Sequence, residues 1–242
     1  MFKKVESKKE VKNIHSGHRQ RMRDKAYKYG FDSFEKHELL EMLLYSTVPQ
    51  KDTNPIAHNL INYFGSFHAV FEAPVEELMK VKGMTKTSAF LLKMIPEISS
   101  EYLDDKVSRE IRIIKGNDDV FDFFRPKYVG ETEEVSYAMF LNNASEILGS
   151  EIISRGSLNF ANIDPRKLVQ LCFKYNATQV ALSHNHPSGD LTPSPNDVVT
   201  TKTLVASLSG VGIRLIDHVI FTSNGCLSMA FDERYSYIFT TI

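Results

Sequence analysis

Cysteine is scarce in this 242-residue chain: only Cys172 and Cys226 occur, far apart and in no C-x-x-C arrangement. That argues against a disulfide framework and against a thiolate zinc site, and makes a reducing cytoplasm the expected compartment. Long apolar runs are missing too. No stretch approaches the roughly 18 to 20 apolar residues of a membrane-spanning helix, so no membrane partner is expected. The charged start MFKKVESKKEVKN has no apolar segment behind it and does not read as a secretory signal. Repeats and low-complexity segments are absent as well. What is present, 42% hydrophobic and 24% charged residues, is ordinary globular composition, enough for one large domain or two small ones.

The net charge of −1 is unevenly spread. Residues 1–29 carry ten Lys or Arg against three acidic residues, so the remainder is acidic. A basic head of this kind meets nucleic acid or is simply a solvated tail. Residues 1–14 read as a disordered basic tail, and 15–103 as an all-α domain. Within it His37-Glu-Leu-Leu-Glu-Met-Leu-Leu44 places apolar residues 39, 40, 43 and 44 on one helical face. Asp52-Thr-Asn-Pro55 and Ala73-Pro-Val-Glu-Glu-Leu78 each open a further helix, with proline suited to the first turn. A glycine turn at Val81-Lys-Gly-Met84 precedes a helix over Thr87–Ile95. Residues 104–116 (DDKVSREIRIIKG) read as a charged linker. From 117 to 242 the signal changes to α/β (α+β). Strands are expected at Val135–Leu141, Glu146–Ser154, Gln179–Ser183, Ile213–Phe221 and Cys226–Phe231. Helices are expected at Pro165–Tyr175 and Asp197–Leu208.

The densest chemistry lies in Ser183-His-Asn-His-Pro-Ser-Gly-Asp-Leu-Thr-Pro-Ser-Pro-Asn-Asp197. His184 and His186 stand two residues apart directly after an apolar strand, and extended backbone sends alternate side chains to one face. Pro187, Gly189, Pro193 and Pro195 enforce a loop that can return Asp197 to the two imidazoles. Two nitrogens and one carboxylate suit Zn2+, with a fourth tetrahedral position left for water. The plainer readings are two partly buried histidines and a helix start, with Ser194 as cap, Pro195 at the first position and Asp197 at the positive helix end. Capping and ligation are compatible.

The order His184, His186, Ser194, Asp197 resembles the JAMM metal motif, and the wording HNHPSGD is similar to its RadC-like branch. Gly17-His-Arg-Gln-Arg21, Glu38-Leu-Leu-Glu-Met-Leu-Leu44, Lys51-Asp-Thr53, Phe64-Gly-Ser66, Arg155-Gly-Ser157, Pro165-Arg166 and Asp217-His218 extend the likeness over nearly the whole chain beyond the tail. The resemblance implies a cytidine-deaminase-like JAMM/MPN mixed sheet flanked by helices. It also implies a zinc-dependent hydrolase that cleaves a peptide or isopeptide bond in a protein or peptide substrate. It places the general base at Glu134, with Glu131 and Glu133 as neighbours in register, and an oxyanion-stabilising role at Ser194. Asn142 stands where the family usually has an acidic residue, and Asp164 where His normally precedes Pro-Arg. Neither position is a proposed ligand.

Val81-Lys-Gly-Met-Thr-Lys-Thr-Ser-Ala89 resembles the hairpin of a helix-hairpin-helix module, which offers backbone N–H groups to phosphate. Thr85 replaces its second glycine, at the cost of a tight or positive-φ turn there. Weak, sequence-independent DNA binding through the helical domain therefore stands beside a protein-recognition role. The function classes in play are a zinc hydrolase, a DNA-binding factor associated with DNA repair whose metal domain is non-catalytic, and a metal-bound scaffold.

Overall fold

A computed structural model describes residues 17–49, 51–110, 113–156 and 163–240; the expected tail at 1–14 lies outside the described residues, as does Ser157. Contacts divide the chain into two compact units between Met94 and Ile95.

The first unit is helical: α1 His18–Tyr29, α2 Lys36–Leu44, α3 Asn54–Phe64, α4 Phe67–Glu72, α5 Val75–Leu78 and the first part of α6, Lys86–Glu110. Of the apolar face expected on α2, Leu40 and Leu44 are fully buried, while Leu39 and Leu43 are half-buried. Glu41 shares this face although it is charged. Its carboxylate accepts from Tyr45 Oη at 2.7 Å and Asn54 Nδ2 at 2.9 Å, and it lies 2.8 Å from His18 Nε2. Such pairing is what a buried charge requires. At the start of α3 the Asp52 carboxylate, not Thr53, accepts the Asn54 N–H at 3.0 Å, and Pro55 sits in the first turn.

The helix expected over Thr87–Ile95 continues to Glu110, so the first half of the expected linker (104–110) is helical and α6 spans 25 residues. The charges of DDKVSRE read as a linker in sequence, but they equally suit a solvated helix face. Helix α7, Asn117–Phe124, buries Val120, Phe123 and Phe124 at helical spacing. The sheet follows, with β1 Val135–Leu141, β2 Ile147–Arg155, β3 Gln179–Asn185, β4 Arg214–Thr222 and β5 Gly225–Ser228. Helices α8, Pro165–Lys174, and α9, Pro195–Ser209, flank β3 in sequence. The last strand stops at Ser228, three residues short of the expected end. The Ala230 N–H turns to the Asp217 carboxylate at 3.0 Å instead of extending the ladder.

Strand order is β2-β1-β3-β4-β5, with β3 and β4 parallel and all other pairs antiparallel. All seven residues of β3 are buried. One face packs Ala138, Phe140, Val180 and Leu182 against Leu168, Cys172, Leu204 and Leu208 of α8 and α9. The other packs Met139, Leu141, Ala181 and Val219 against the aromatic residues of α7. Period-two alternation then assigns the faces: His184 continues Val180 and Leu182 towards α9, and Ser136 continues Ala138 on the same side.

One irregularity matters for the site. Val180 pairs with Leu215 but Ala181 pairs with Asp217, so Ile216 is an extra residue in β4. A bulge exchanges the faces of everything after it. Leu215 and Ile220 consequently lie on the α9 face together, and His218 joins them there.

The two departures from the family pattern have local explanations. Asn142 Oδ1 accepts from Ala144 N at 2.9 Å and Glu146 N at 3.0 Å, closing the β1–β2 hairpin. That hairpin is at the sheet end opposite the histidines, since Leu141 pairs with Gln179 and Ser136 with His184. Asp164 caps α8, accepting the Arg166 N–H at 2.9 Å.

Candidate metal centre

His184 is fully buried near the end of β3. His186 lies one residue past the strand, and its N–H still donates to Phe221 O at 2.7 Å, holding the backbone on the β4 ladder. Gly189, with φ of +84°, then turns the loop and donates to His186 O at 3.0 Å. That left-handed conformation is natural to glycine and brings the Asp190 carbonyl back to His186 Nδ1 at 2.6 Å. The Asp190 carboxylate is occupied elsewhere, accepting Thr192 N at 2.8 Å.

Helix α9 opens with a capping box. Ser194 Oγ accepts the Asp197 N–H at 3.1 Å, and Asp197 Oδ2 accepts the Ser194 N–H at 2.7 Å. The cap orients the carboxylate at the buried start of the helix. Asp197 Oδ1 lies 3.7 Å from His184 Nε2, and its Oδ2 lies 3.5 Å from His186 Nε2. The two Nε2 atoms are 2.9 Å apart. These three residues form the one His/Cys/Asp/Glu cluster among the described residues with donor atoms close enough to share a metal ion.

The tautomers follow from the acceptors behind the rings. Thr201 Oγ1 is 2.6 Å from Asp197 O, and two oxygens that close need the hydroxyl proton between them. Thr201 therefore accepts from His218 Nδ1, 2.7 Å away. Burial holds the His218 pKa well below the usual value, so the ring is neutral and its Nε2 is an acceptor. His184 Nδ1, at 2.7 Å from that Nε2, must carry the proton. The His184 Nε2 lone pair is thus turned towards Asp197. His186 reaches the same state directly, because the Asp190 carbonyl can only accept from its Nδ1. Two Nε2 lone pairs facing each other at 2.9 Å require a cation between them. Where that cation is a proton, Asp197 holds the His186 pKa above its usual value, with the Glu134 charge adding to the effect. On Asp197 burial acts to raise the pKa, but the positive charge held between the His184 and His186 rings and the bond from Ser194 outweigh it, and the carboxyl stays ionised.

A metal ion fits the same place. Donors at roughly 2.0 to 2.2 Å from a tetrahedral ion stand about 3.4 Å from one another. The 3.5 and 3.7 Å separations between Asp197 and the rings match this, while the two Nε2 atoms, 2.9 Å apart, have to spread by about 0.5 Å to take the ion. The donor set is two neutral imidazoles, each with its outer nitrogen engaged, and one ionised carboxylate.

Glu134 precedes β1. Ser136 pairs with His184, and continuing that antiparallel register places Glu134 opposite His186 on the α9 face. It is half-buried, and its charge is felt at His186. The neighbouring carboxylates go elsewhere: Glu131 forms a two-pronged pair with Arg155 at 2.7 and 2.8 Å, and Glu133 is exposed. Ser194 is exposed. Its oxygen accepts in the cap, so its hydroxyl proton is retained for donation. Asp217 touches the backbone, not the imidazole, of His218. It accepts His218 N at 2.7 Å, Ser228 Oγ at 2.7 Å and Ala230 N at 3.0 Å.

Sequence reasoning missed Thr201 and Asn185. Thr201 follows Asp197 by one helical turn, a spacing that could have suggested it. Asn185 lies between the histidines and on the opposite face of β3, so no periodic signal pointed to it.

Residues 114–235 match the RadC-like JAB domain family, and residues 14–90 match the UPF0758 N-terminal family. A UPF0758 protein of Fusobacterium nucleatum subsp. nucleatum is 34% identical over 218 residues, covering 88% of this chain and 94% of that relative. The chain belongs to the RadC-like UPF0758 family. In this RadC-like chain the JAB match contains Glu134, both histidines, Ser194, Asp197, Thr201 and His218. No helix among the described residues is long and apolar enough to cross a membrane.

Proposed function

We propose that this RadC-like protein is a zinc-dependent hydrolase that cleaves an amide bond, peptide or isopeptide, in a protein or peptide substrate. The observation that carries the reading is the convergence of two Nε2 donors and the Asp197 carboxylate, with Glu134 on the same face of the sheet. A structural zinc normally has four protein ligands, whereas three leave a position for chemistry. When bound, zinc supplies a lowered water pKa and polarisation of a carbonyl. His184, His186 and Asp197 would hold it. Glu134 accepts one proton as the water oxygen adds to the carbonyl carbon. It returns that proton to the departing nitrogen as the C–N bond breaks. Ser194 Oγ donates to the oxygen on which negative charge develops.

Glu134→Gln preserves shape but cannot accept the proton. It is expected to keep one zinc per chain and to lose about 100- to 10,000-fold in turnover of a peptide library read by mass spectrometry. His186→Ala is expected to lose the metal. Full activity in Glu134→Gln, or stoichiometric zinc in a His184→Ala/His186→Ala double variant, would overturn the assignment.

DNA binding by the helical unit is the second reading. It is supported by Lys82 and Lys86, both exposed around Gly83, whose φ is +100°. Against it, Thr85 Oγ1 accepts the Ser88 N–H at 3.1 Å and so occupies one of the donors a phosphate would use at the start of α6.

A further inference from the structure

Asn185 separates the two histidines and is 5% exposed, yet its side chain belongs to neither of them. Its Oδ1 accepts the Val135 N–H at 2.7 Å, and its Nδ2 donates to Glu133 O at 2.9 Å. The regular β1–β3 pairing ends at Ser136 and His184. Beyond that point the amide side chain supplies the donor and acceptor that a further peptide of β3 would have offered. On the other edge, Gly156 N donates to Glu134 O at 2.9 Å. Both peptides flanking residue 134 are therefore tied to β3, while its own carbonyl is tied to the end of β2. An extended residue held on both edges has one direction for its side chain, and alternation from Ala138 through Ser136 makes that direction the face of His184 and His186.

We propose that Asn185 is the positioning residue for Glu134, coupling the carboxylate to the strand that carries the metal ligands. Its catalytic consequence rests on the hydrolase reading; the coupling itself does not. A base must stand within hydrogen-bond reach of the proton it takes, and a displacement of about 1 Å can cost on the order of 100-fold in rate. Glu134 lies outside the regular strand, where chain ends ordinarily fray. A buried amide bonded on both sides removes that freedom, and placing it between the two ligands moves base and metal as one body.

The test uses Asn185→Ala, which removes both the acceptor for Val135 and the donor to Glu133, and Asn185→Ser, which is too short to span both groups. If one variant does not fold, the other carries the measurement. Three quantities are read on the full chain: zinc content by elemental analysis, amide hydrogen exchange at Val135 and Met139, and kcat against KM on a peptide that the unsubstituted protein cleaves. The expected result is one zinc per chain and an unchanged Met139 amide. Exchange at Val135 rises by roughly 10-fold or more as its hydrogen bond weakens. The value of kcat drops by about 100-fold with KM little changed. Unchanged Val135 exchange overturns the coupling, and so does loss of zinc in step with activity, which would make Asn185 a support for the ligands. If the unsubstituted protein cleaves nothing, the hydrolase reading falls, and Val135 exchange still decides whether Asn185 holds the Glu134 segment.

Discussion

Replacing Thr201 by valine tests the tautomer argument at its root. Valine matches threonine in shape, and position 201 is fully buried, so the change removes a hydroxyl without opening a cavity. The Asp197 carbonyl keeps its helical partner, but His218 Nδ1 loses the acceptor that stood 2.7 Å away. Two outcomes are open to the His218 ring. It can keep the Nδ1 proton unsatisfied, which costs about 1 to 3 kcal/mol in a buried site. Alternatively it moves the proton to Nε2, which then confronts His184 Nδ1 and drives the His184 proton to Nε2, the nitrogen needed for metal. The first cost falls on loaded and metal-free protein alike and appears as lost stability. The second falls on the metal complex alone. At about 1.4 kcal/mol per tenfold, zinc binding is expected to weaken by roughly 10- to 100-fold, the range usual for groups that orient a ligating histidine. Competition against a chromophoric chelator gives the Kd, and thermal melting of the metal-free proteins separates the two contributions. Thr201→Ser restores the hydroxyl and should restore most of the affinity. A Thr201→Val protein whose zinc Kd stays within about twofold of the original refutes the relay from Thr201 through His218 to His184.

Two further outcomes are expected. Burial pushes the Cys172 thiol up to about 11, so at pH 8 almost no thiolate is present and a thiol reagent should leave Cys172 unmodified in the folded protein. Its labelling rate should climb only towards pH 11, or on unfolding; rapid labelling of Cys172 at pH 8 would show that α8 opens readily. For the helical unit, duplex DNA should bind weakly and lose affinity steeply with salt. The log–log slope should shrink by roughly 0.9 for each phosphate contact removed when Lys82 and Lys86 become Glu. Binding that ignores both the charge reversal and the salt would remove the Gly83 turn from the interface.

The candidate metal cluster and most of the elements around it were legible in the chain because they depend on local periodicity. His184 and His186 share a face through the two-residue repeat of β3, and Ser194-Pro-Asn-Asp197 is a helix start whichever fold surrounds it. Burial one turn apart on α2, at Leu40 and Leu44, follows equally from spacing. The first half of the stretch read as a linker was not legible, because a charged run is compatible with a loop and with a solvated helix, and only its continuity with α6 decides. The support behind the site was still less accessible. His218 faces His184 because Ile216 is inserted as a bulge against Val180 and Ala181, an event of strand pairing between residues more than thirty apart. Thr201 and Asn185 acquire their roles from partners on other elements, one through the His218 ring and one through the backbone at Glu133 and Val135. Local sequence sets which face a side chain occupies within its own element. Register between elements sets what that face meets, and it is chosen by the packing of both sides of the sheet at once.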